Sequence, residues 1–515
     1  MGRKLSSSAP PEASATSVSK SNGGGGAGLD RGVLAVAAVV VLGAIMSILD
    51  VTVVNVAIRD LSVEFNAPLS QIQWIATGYT LALATVIPVT GWAASRFGTK
   101  RLYMVSIGLF VIGSGLAGMA WSAESLIAFR VLQGLGGGMI MPAGMTILTQ
   151  KAGPQRVGQV MSVVGIPMLL GPISGPILGG WLVDDVSWRW IFYINVPIGI
   201  VALFMSWRIL DKDTPRTGEK LDLLGLLLLS PGLASLIYGL ATGAEQGAFD
   251  SAKVIGFTAV GAVLVIGFVV RALRAEVPLI DLRLFARRSV AAASGTMVLF
   301  NLAFFGAMLL MPLFYQVVRG ESAFHTGLLL IPQGVGAMVT MPIGGKLVDK
   351  IGPGRIVLGG LVLVIAGMAG FATQVGADTS GFALGGALFV MGLGMGLTMM
   401  PTMSAAMQTL EHDEVPRAST GLNIIQQVAG SIGTAFMSVL LTTQLQDRLG
   451  GGAEGGIGAA ANVPPEAAAL ILPKIADAFG ATFWWATGLI VLAFIPALFL
   501  SRSKPEAAVN VMPMH

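Results

Sequence analysis

The chain has 515 residues, of which 54% are hydrophobic and only 11% charged. Soluble domains carry about 25% charged residues, so this composition excludes a soluble globular protein and points to a polytopic membrane protein. The net charge of +4 fits basic loops on a cytoplasmic membrane face and makes no case for nucleic acid; the lack of cysteine excludes disulfides and cysteine metal sites, and His325, His412 and His515 are too scattered for a metal cluster.

Residues 1–31, rich in Ser, Ala and Gly, read as a disordered cytoplasmic tail. They are not expected to be a cleavable signal, because the apolar run after Asp30 is too long and no cleavage site follows it. A span needs about 20 mostly apolar residues. Six such runs fill 32–210, at 32–56, 71–94, 102–121, 125–149, 157–183 and 189–208. The stretch 211–288 is a linker with two further spans, 221–242 and 252–272. Six more fill 289–502, at 289–317, 325–347, 356–375, 381–408, 417–442 and 479–501, and 503–515 is a second tail. The expected fold is all-α, with fourteen transmembrane helices in two six-helix halves plus an inserted pair.

With the N-terminus inside, the inner loops hold most of the basic residues, among them Arg96, Lys100, Arg101, Arg271, Arg274, Arg283, Arg287, Arg288, Lys346, Lys350 and Arg355. The outer loops hold only Arg59, Arg189, Lys253, Arg319, Arg448 and Lys474. That bias places both termini in the cytoplasm. The longest outer segment, 443–478, contains "VPPEAAALILPKIADAF", which reads either as an amphipathic helix at the interface or as a loop.

The halves share a motif. "GWAASRFGTKR" (91–101) aligns with "GKLVDKIGPGR" (345–355), pairing Gly91 with Gly345, Ser95 with Asp349, Arg96 with Lys350, Gly98 with Gly352 and Arg101 with Arg355. Each copy follows the second span of its half. Repeated halves around a central site are transporter architecture.

Asp50 lies inside the first span, and it is the one clear acid in the core of any span. A carboxylate at mid-membrane costs roughly 2.5–3.5 kcal/mol on insertion scales and marks a functional site by default. It escapes that cost by taking up a proton, which makes it a candidate proton carrier; the plainer alternative is an acid permanently paired with a base. Arg130, several residues into the fourth span, is the matching base and never loses its proton in practice. It reads as nearer the inner side, so coupling to Asp50 is expected to run through water or polar groups, unless Arg130 merely reaches toward headgroups. Gly171, Gly175 and Gly179 recur every four residues along one face of the fifth span, interleaved with Pro172 and Pro176, which bend it. That face suits either a seam on which two halves rock or simple close packing. Asn55, Gln73, Trp74, Thr77, Tyr79, Asn301, Gln333, Asn423 and Gln426 are candidates to line a polar cavity, the alternative being interhelical hydrogen bonding. Methionines, 25 in all, are frequent in the second half and suit a promiscuous surface as well as ordinary packing. The strings "GLGGGM" and "GLGMGL" are not phosphate loops, since no Gly-Lys-Ser/Thr follows. With no nucleophile–base constellation in view, no enzyme activity and no cofactor are expected.

Several stretches resemble the major facilitator superfamily, in its fourteen-helix drug:proton antiporter branch. They are "LDVTVVNVAI" (49–58), "QWIATGYTLA" (73–82), "RVLQGLGGG" (130–138), "GIPMLLGPISGPILGG" (165–180) and "WRWIFYINVPIG" (188–199). The resemblance covers roughly 32–502 and implies proton-coupled export of amphipathic small molecules, multidrug efflux and antibiotic resistance. It also implies a bacterial inner-membrane location and protons, lipids and a small amphiphile as partners, with a monomer expected. The motif after the second helix departs from the branch at Ser95, where an acid that locks the inner gate is usual; Asp349 keeps that acid in the second half. A dedicated exporter of a native lipid or metabolite, and a transport-inactive sensor or scaffold, stay open as alternatives.

Overall fold

The computed structural model describes residues 30–67, 69–153, 156–212, 220–246, 249–376, 379–411, 414–449 and 465–501. The tails expected over 1–31 and 503–515 fall outside these apart from Asp30 and Arg31, as do the middle of the 443–478 segment and the side chains of Asn55, Pro172 and Pro176. Every regular element among the described residues is helical. Lipid offers no hydrogen-bond partners, so a spanning backbone must satisfy its own polar groups, and a helix does this within one segment.

In the first half, α1 (Arg31–Glu64) leads to α2 (Leu69–Val86), which passes through a 3-10 turn at Ile87–Val89 into α3 (Thr90–Phe97); α2 and α3 form one span. Then come α4 (Thr99–Gly118), α5 (Ala123–Ala152) and α6 (Val157–Asp185), with α7 (Trp190–Tyr193) and α8 (Asn195–Ile209) sharing the sixth span. The inserted pair is α9 (Leu223–Gln246) and α10 (Ala252–Arg274). The second half comprises α11 (Arg288–Val317), α12 (Ala323–Ile351), α13 (Pro353–Gln374), α14 (Gly381–Met407), α15 (Val415–Leu449) and α16 (Pro465–Ala497). Thirteen spans are long and apolar enough on their described residues to cross a membrane, and α6, 29 residues long, completes the fourteen.

Local chemistry sets the ends. Ser122 and Ser125 form a capping box at the start of α5, and Ser251 and Ser322 cap α10 and α12 through the N–H groups of Val254 and His325. Gly98 and Gly352, matched in the repeat, both take positive φ, +95° and +86°, at the junctions α3–α4 and α12–α13. Only glycine enters that region without steric cost, so the sequence match marks one turn built twice.

The two glycine strings also do one job twice. A Cβ on Gly134 would lie 2.5 Å from the Tyr79 carbonyl of α2, and one on Gly136 2.5 Å from the Phe110 nitrogen of α4. Gly392 and Gly394 are as tightly placed against Gln333 of α12 and Val364 of α13. Small residues let backbones approach this closely in lipid, and α5 and α14 are thereby clamped, each inside its own half.

The 443–478 segment differs from both expectations at its C-terminal end. α16 is a single helix from Pro465 through Pro473 to Ala497, and no separate interfacial helix precedes the last span among the described residues. The apolar spacing that suggests an interfacial helix is the packing face of α16. Ile475, Ala478 and Phe479 are fully buried, with Phe479 against Phe314 of α11.

α9 and α10 form a hairpin held at one end by Arg271 on Asp222, 2.9 Å apart. α9 touches both halves: Ser230 donates to the Thr85 carbonyl of α2, and Ser438 of α15 donates to the Ala244 carbonyl, each at 2.6 Å.

Candidate functional site

Asp50 is 1% exposed in the middle of α1, in the first half. Its Oδ2 accepts from Arg130 Nη1 at 2.5 Å. Its Oδ1 accepts from Gln133 Nε2 at 2.8 Å and Asn195 Nδ2 at 3.1 Å. Arg130, also 1% exposed, donates in addition to Gln133 Oε1 (2.7 Å) and the Ile75 carbonyl (3.3 Å), and its guanidinium lies 4.1 Å from the centre of the Tyr79 ring. Asn195 reaches on to Ser114 Oγ, which donates to the Phe192 carbonyl. Five spans thus converge on one carboxylate. The glycine clamp on α5 fixes the depth of Arg130 and Gln133, and Gly113 admits them: a Cβ there would meet Gln133 Cα at 2.7 Å.

This corrects the expectation of an indirect link. Arg130 touches Asp50 directly, and no water or intervening group is needed. With the N-terminus inside, the fourth span starts at the outer side, so Arg130, near the start of α5, belongs at the outer end and not the inner one, level with Asp50 near the end of the expected first span. Gln133 and Asn195 were not singled out from the sequence, although both lie in the stretches that carry the resemblance. The available signal was an amide in an apolar span, in the case of Gln133 one turn from Arg130.

The cavity candidates separate. Tyr79 is the platform under Arg130 and is fully buried. Trp74 stacks on Tyr238 of the inserted α9, centroids 5.6 Å apart, and so bridges to the insertion. Gln73 and Thr77 are half-buried on α2. Asn423 donates to the Ser419 carbonyl within α15, and Gln333 to the Met395 sulfur. Asn301 and Gln426 meet at a cavity of about 20 Å³ with Met145 of the first half and Met297, Met399, Met400 and Met403 of the second. Asn301 Oδ1 is buried there without a partner. That volume holds about one water, so this methionine-lined point is closed in this conformation.

The gate candidates sit at the end of the bundle that carries the basic loops. Asp349 accepts from the N–H groups of Gly158 (3.2 Å) and Gln159 (3.3 Å), so an acid of the second half caps α6 of the first. Gly158 makes the approach possible: a Cβ there would lie 2.8 Å from both the Gly345 carbonyl and the Asp349 carboxylate. In the matching place, Gly91 of α3 crosses the first turns of α15, where a Cβ would meet Thr420 Oγ1 at 3.1 Å. Ser95 there donates back to the Gly91 carbonyl at 3.2 Å. Ser419 Oγ donates to the Pro142 carbonyl at 3.1 Å, and Gly165 packs against Met341 and Met400. The halves are therefore closed on one another at the basic end. Arg96 is half-buried beside Gly98, while Arg101 and Arg355 are exposed at the starts of α4 and α13.

Of the two readings of the glycine face of α6, close packing is the one that the contacts of Gly171 and Gly175 fit. Gly171 and Gly175 press on Ile48 and Thr52 of α1, with Thr52 Oγ1 donating to the Gly171 carbonyl at 3.3 Å. This ridge is a contact inside the first half, and α6 meets the second half through Gly158 and Gly165. A four-residue glycine spacing specifies close approach without specifying the partner. Gly179 is buried on the same helix.

Two pseudo-equivalent helical halves, a buried acid–base pair in one and matching turns at one end of both, define a membrane-transporter class. A family model described as Major Facilitator Superfamily matches residues 40–434. The chain is 45% identical over 493 residues to a multidrug resistance protein B homolog of Mycobacterium tuberculosis H37Rv, covering 92% of this chain and 91% of that one. It is 32% identical over 406 residues to the multidrug export protein EmrB of Escherichia coli K12, covering 78% and 79%. The structure of the proton:xylose symporter XylE superposes with a TM-score of 0.58 at 14% identity, covering 90% of this chain and 94% of that one. The chain belongs to the major facilitator superfamily.

Proposed function

We propose that this protein is a proton-coupled antiporter that exports amphipathic small molecules across a bacterial inner membrane by alternating access, with the basic end and both termini in the cytoplasm. The observation that carries the reading is the fully buried Asp50–Arg130 pair with its two amides. Breaking a buried pair by neutralising one member costs about 3–5 kcal/mol, because the other charge is left uncompensated. A proton on Asp50 therefore leaves Arg130 held by Gln133, the Ile75 carbonyl and the Tyr79 ring alone. Relief comes from moving the helices that carry these groups, and that movement links protonation to the packing of α1 against α6. Each proton moving down a 100 mV potential supplies about 2.3 kcal/mol. The multidrug names of the bacterial relatives support the cargo class.

The test is transport of a lipophilic monovalent dye in proteoliposomes under an imposed pH gradient. Asp50→Asn keeps the shape of the protonated acid and cannot cycle, so it is expected to fold and to lose gradient-driven transport. Wild-type rates in that variant would remove Asp50 from the mechanism and favour a merely structural pair.

A further inference from the structure

The inserted pair does not seal against the second half. Between α9 and α10 on one side and α11 and α15 on the other lies a crevice of about 270 Å³, floored by the linker that precedes α11. Leu233, Phe268, Phe285, Leu302, Ile425 and Val428 are representative of its walls, and no polar side chain lines it. Its rim is open: Val269 and Ile432 are both 38% exposed. Water entering such a space would find no partners. The crevice runs from the basic end, at Leu282 and Phe285, up along the spans, so what lies beside it is bilayer hydrocarbon.

The floor is strongly basic. Between 271 and 288 the chain carries Arg271, Arg274, Arg283, Arg287 and Arg288 against Glu276 and Asp281. Arg271 is committed to Asp222 and Arg287 to Glu414. Arg274, Arg283 and Arg288 have no carboxylate partner among the described residues; Arg283 Nη2 donates to the Leu273 carbonyl at 3.4 Å, and the Arg288 guanidinium lies 5.8 Å from the centre of the Phe499 ring. Arg283 adjoins Leu282 of the floor, and Arg288 opens the helix that carries Leu302. Guanidinium groups bind phosphate oxygens in a fork, and basic residues at this level of a membrane attract anionic headgroups.

We propose that this crevice binds one acyl chain of an anionic phospholipid from the leaflet at the basic end, its phosphate held by Arg274, Arg283 and Arg288. The lipid fills a space that the protein leaves empty and ties the inserted pair to α15 through its tail.

Native mass spectrometry of the full-length protein, released from nanodiscs of equal phosphatidylglycerol and phosphatidylethanolamine, tests this. Wild type is expected to retain one phosphatidylglycerol at least several-fold over phosphatidylethanolamine. Ala429→Phe, which puts a ring into the crevice, is expected to lose that lipid. Val269→Phe fills it from the exposed rim, where added bulk is tolerated, and serves if Ala429→Phe does not fold. Arg274→Gln with Arg288→Gln is expected to keep a bound lipid and bring the two headgroups to near parity. Retention of phosphatidylglycerol by the filled variants, or equal headgroup retention by wild type, overturns the proposal. So does displacement of the retained lipid by transported dye, which would make the crevice a cargo route.

Discussion

At the residue scale, Gln133 is the hinge of the acid–base cluster. It donates to Asp50 and accepts from Arg130, so it holds both ends of the pair in register. Gln133→Leu strips one partner from each. A buried group left unsatisfied costs about 1–3 kcal/mol, and a drop in thermal stability of that order is expected in detergent; an unchanged melting temperature would mean the amide is spare. Arg130→Lys keeps the charge, but a single ammonium cannot serve Asp50, Gln133 and the Ile75 carbonyl from one plane. Gradient-driven transport should fall by about tenfold or more while the protein still folds, which corresponds to about 1.4 kcal/mol. Dye transport at the wild-type rate would show that charge alone suffices. Asp50 and Arg130 were legible from sequence because charge inside an apolar run is conspicuous. Their direct contact was not, because it depends on which faces of α1 and α5 meet, and only the packing of the helices decides that.

At the element scale, the repeated turn shows what a motif can hide. Gly98 and Gly352 keep the same backbone, and Gly91 and the Gly345 carbonyl both lie where one half comes close to the other. The charge is kept once. Asp349 places a carboxylate on the N-terminus of α6, an arrangement worth about 0.3–1 kcal/mol at exposed helix ends and up to about 2 kcal/mol when partly buried. Asp349→Asn is expected to loosen closure at the basic end. Because the native chain has no cysteine, a single Thr420→Cys reporter, at a position buried where α3 meets α15, reads this directly, and its alkylation by an impermeant maleimide applied to the basic face should speed up. Ser95→Asp should slow it, by less, since Pro416 near the start of α15 offers no N–H to cap. Opposite signs, or no change in either variant, would detach these loops from gating. Spacing alone showed that α6 has a close-approach face; only the packing showed that its partner is α1.

For the whole molecule, charge balance limits what can pass. Asp50 is committed to Arg130, and Asp349 to the α6 terminus, so the described core offers no spare fixed acid to a cargo. A dication would be desolvated with few partners, which is costly in low dielectric. Neutral or monovalent amphiphiles should therefore be exported faster than divalent cations of similar size. Matched mono- and divalent dyes in energised vesicles decide this, and equal or faster divalent transport would defeat it. The number of spans, their order and the position of the inserted pair were set by sequence alone, since lipid forces each apolar run of sufficient length into a helix and little else competes. The buried acid, its base and the repeated turn were likewise visible, because each breaks a local pattern. Which helices touch, at what depth, and which end is closed were decided only in three dimensions. Those depend on the register of apolar surfaces that are chemically alike, and in lipid that register is set by small side chains and a few hydrogen bonds that act only once the helices have met.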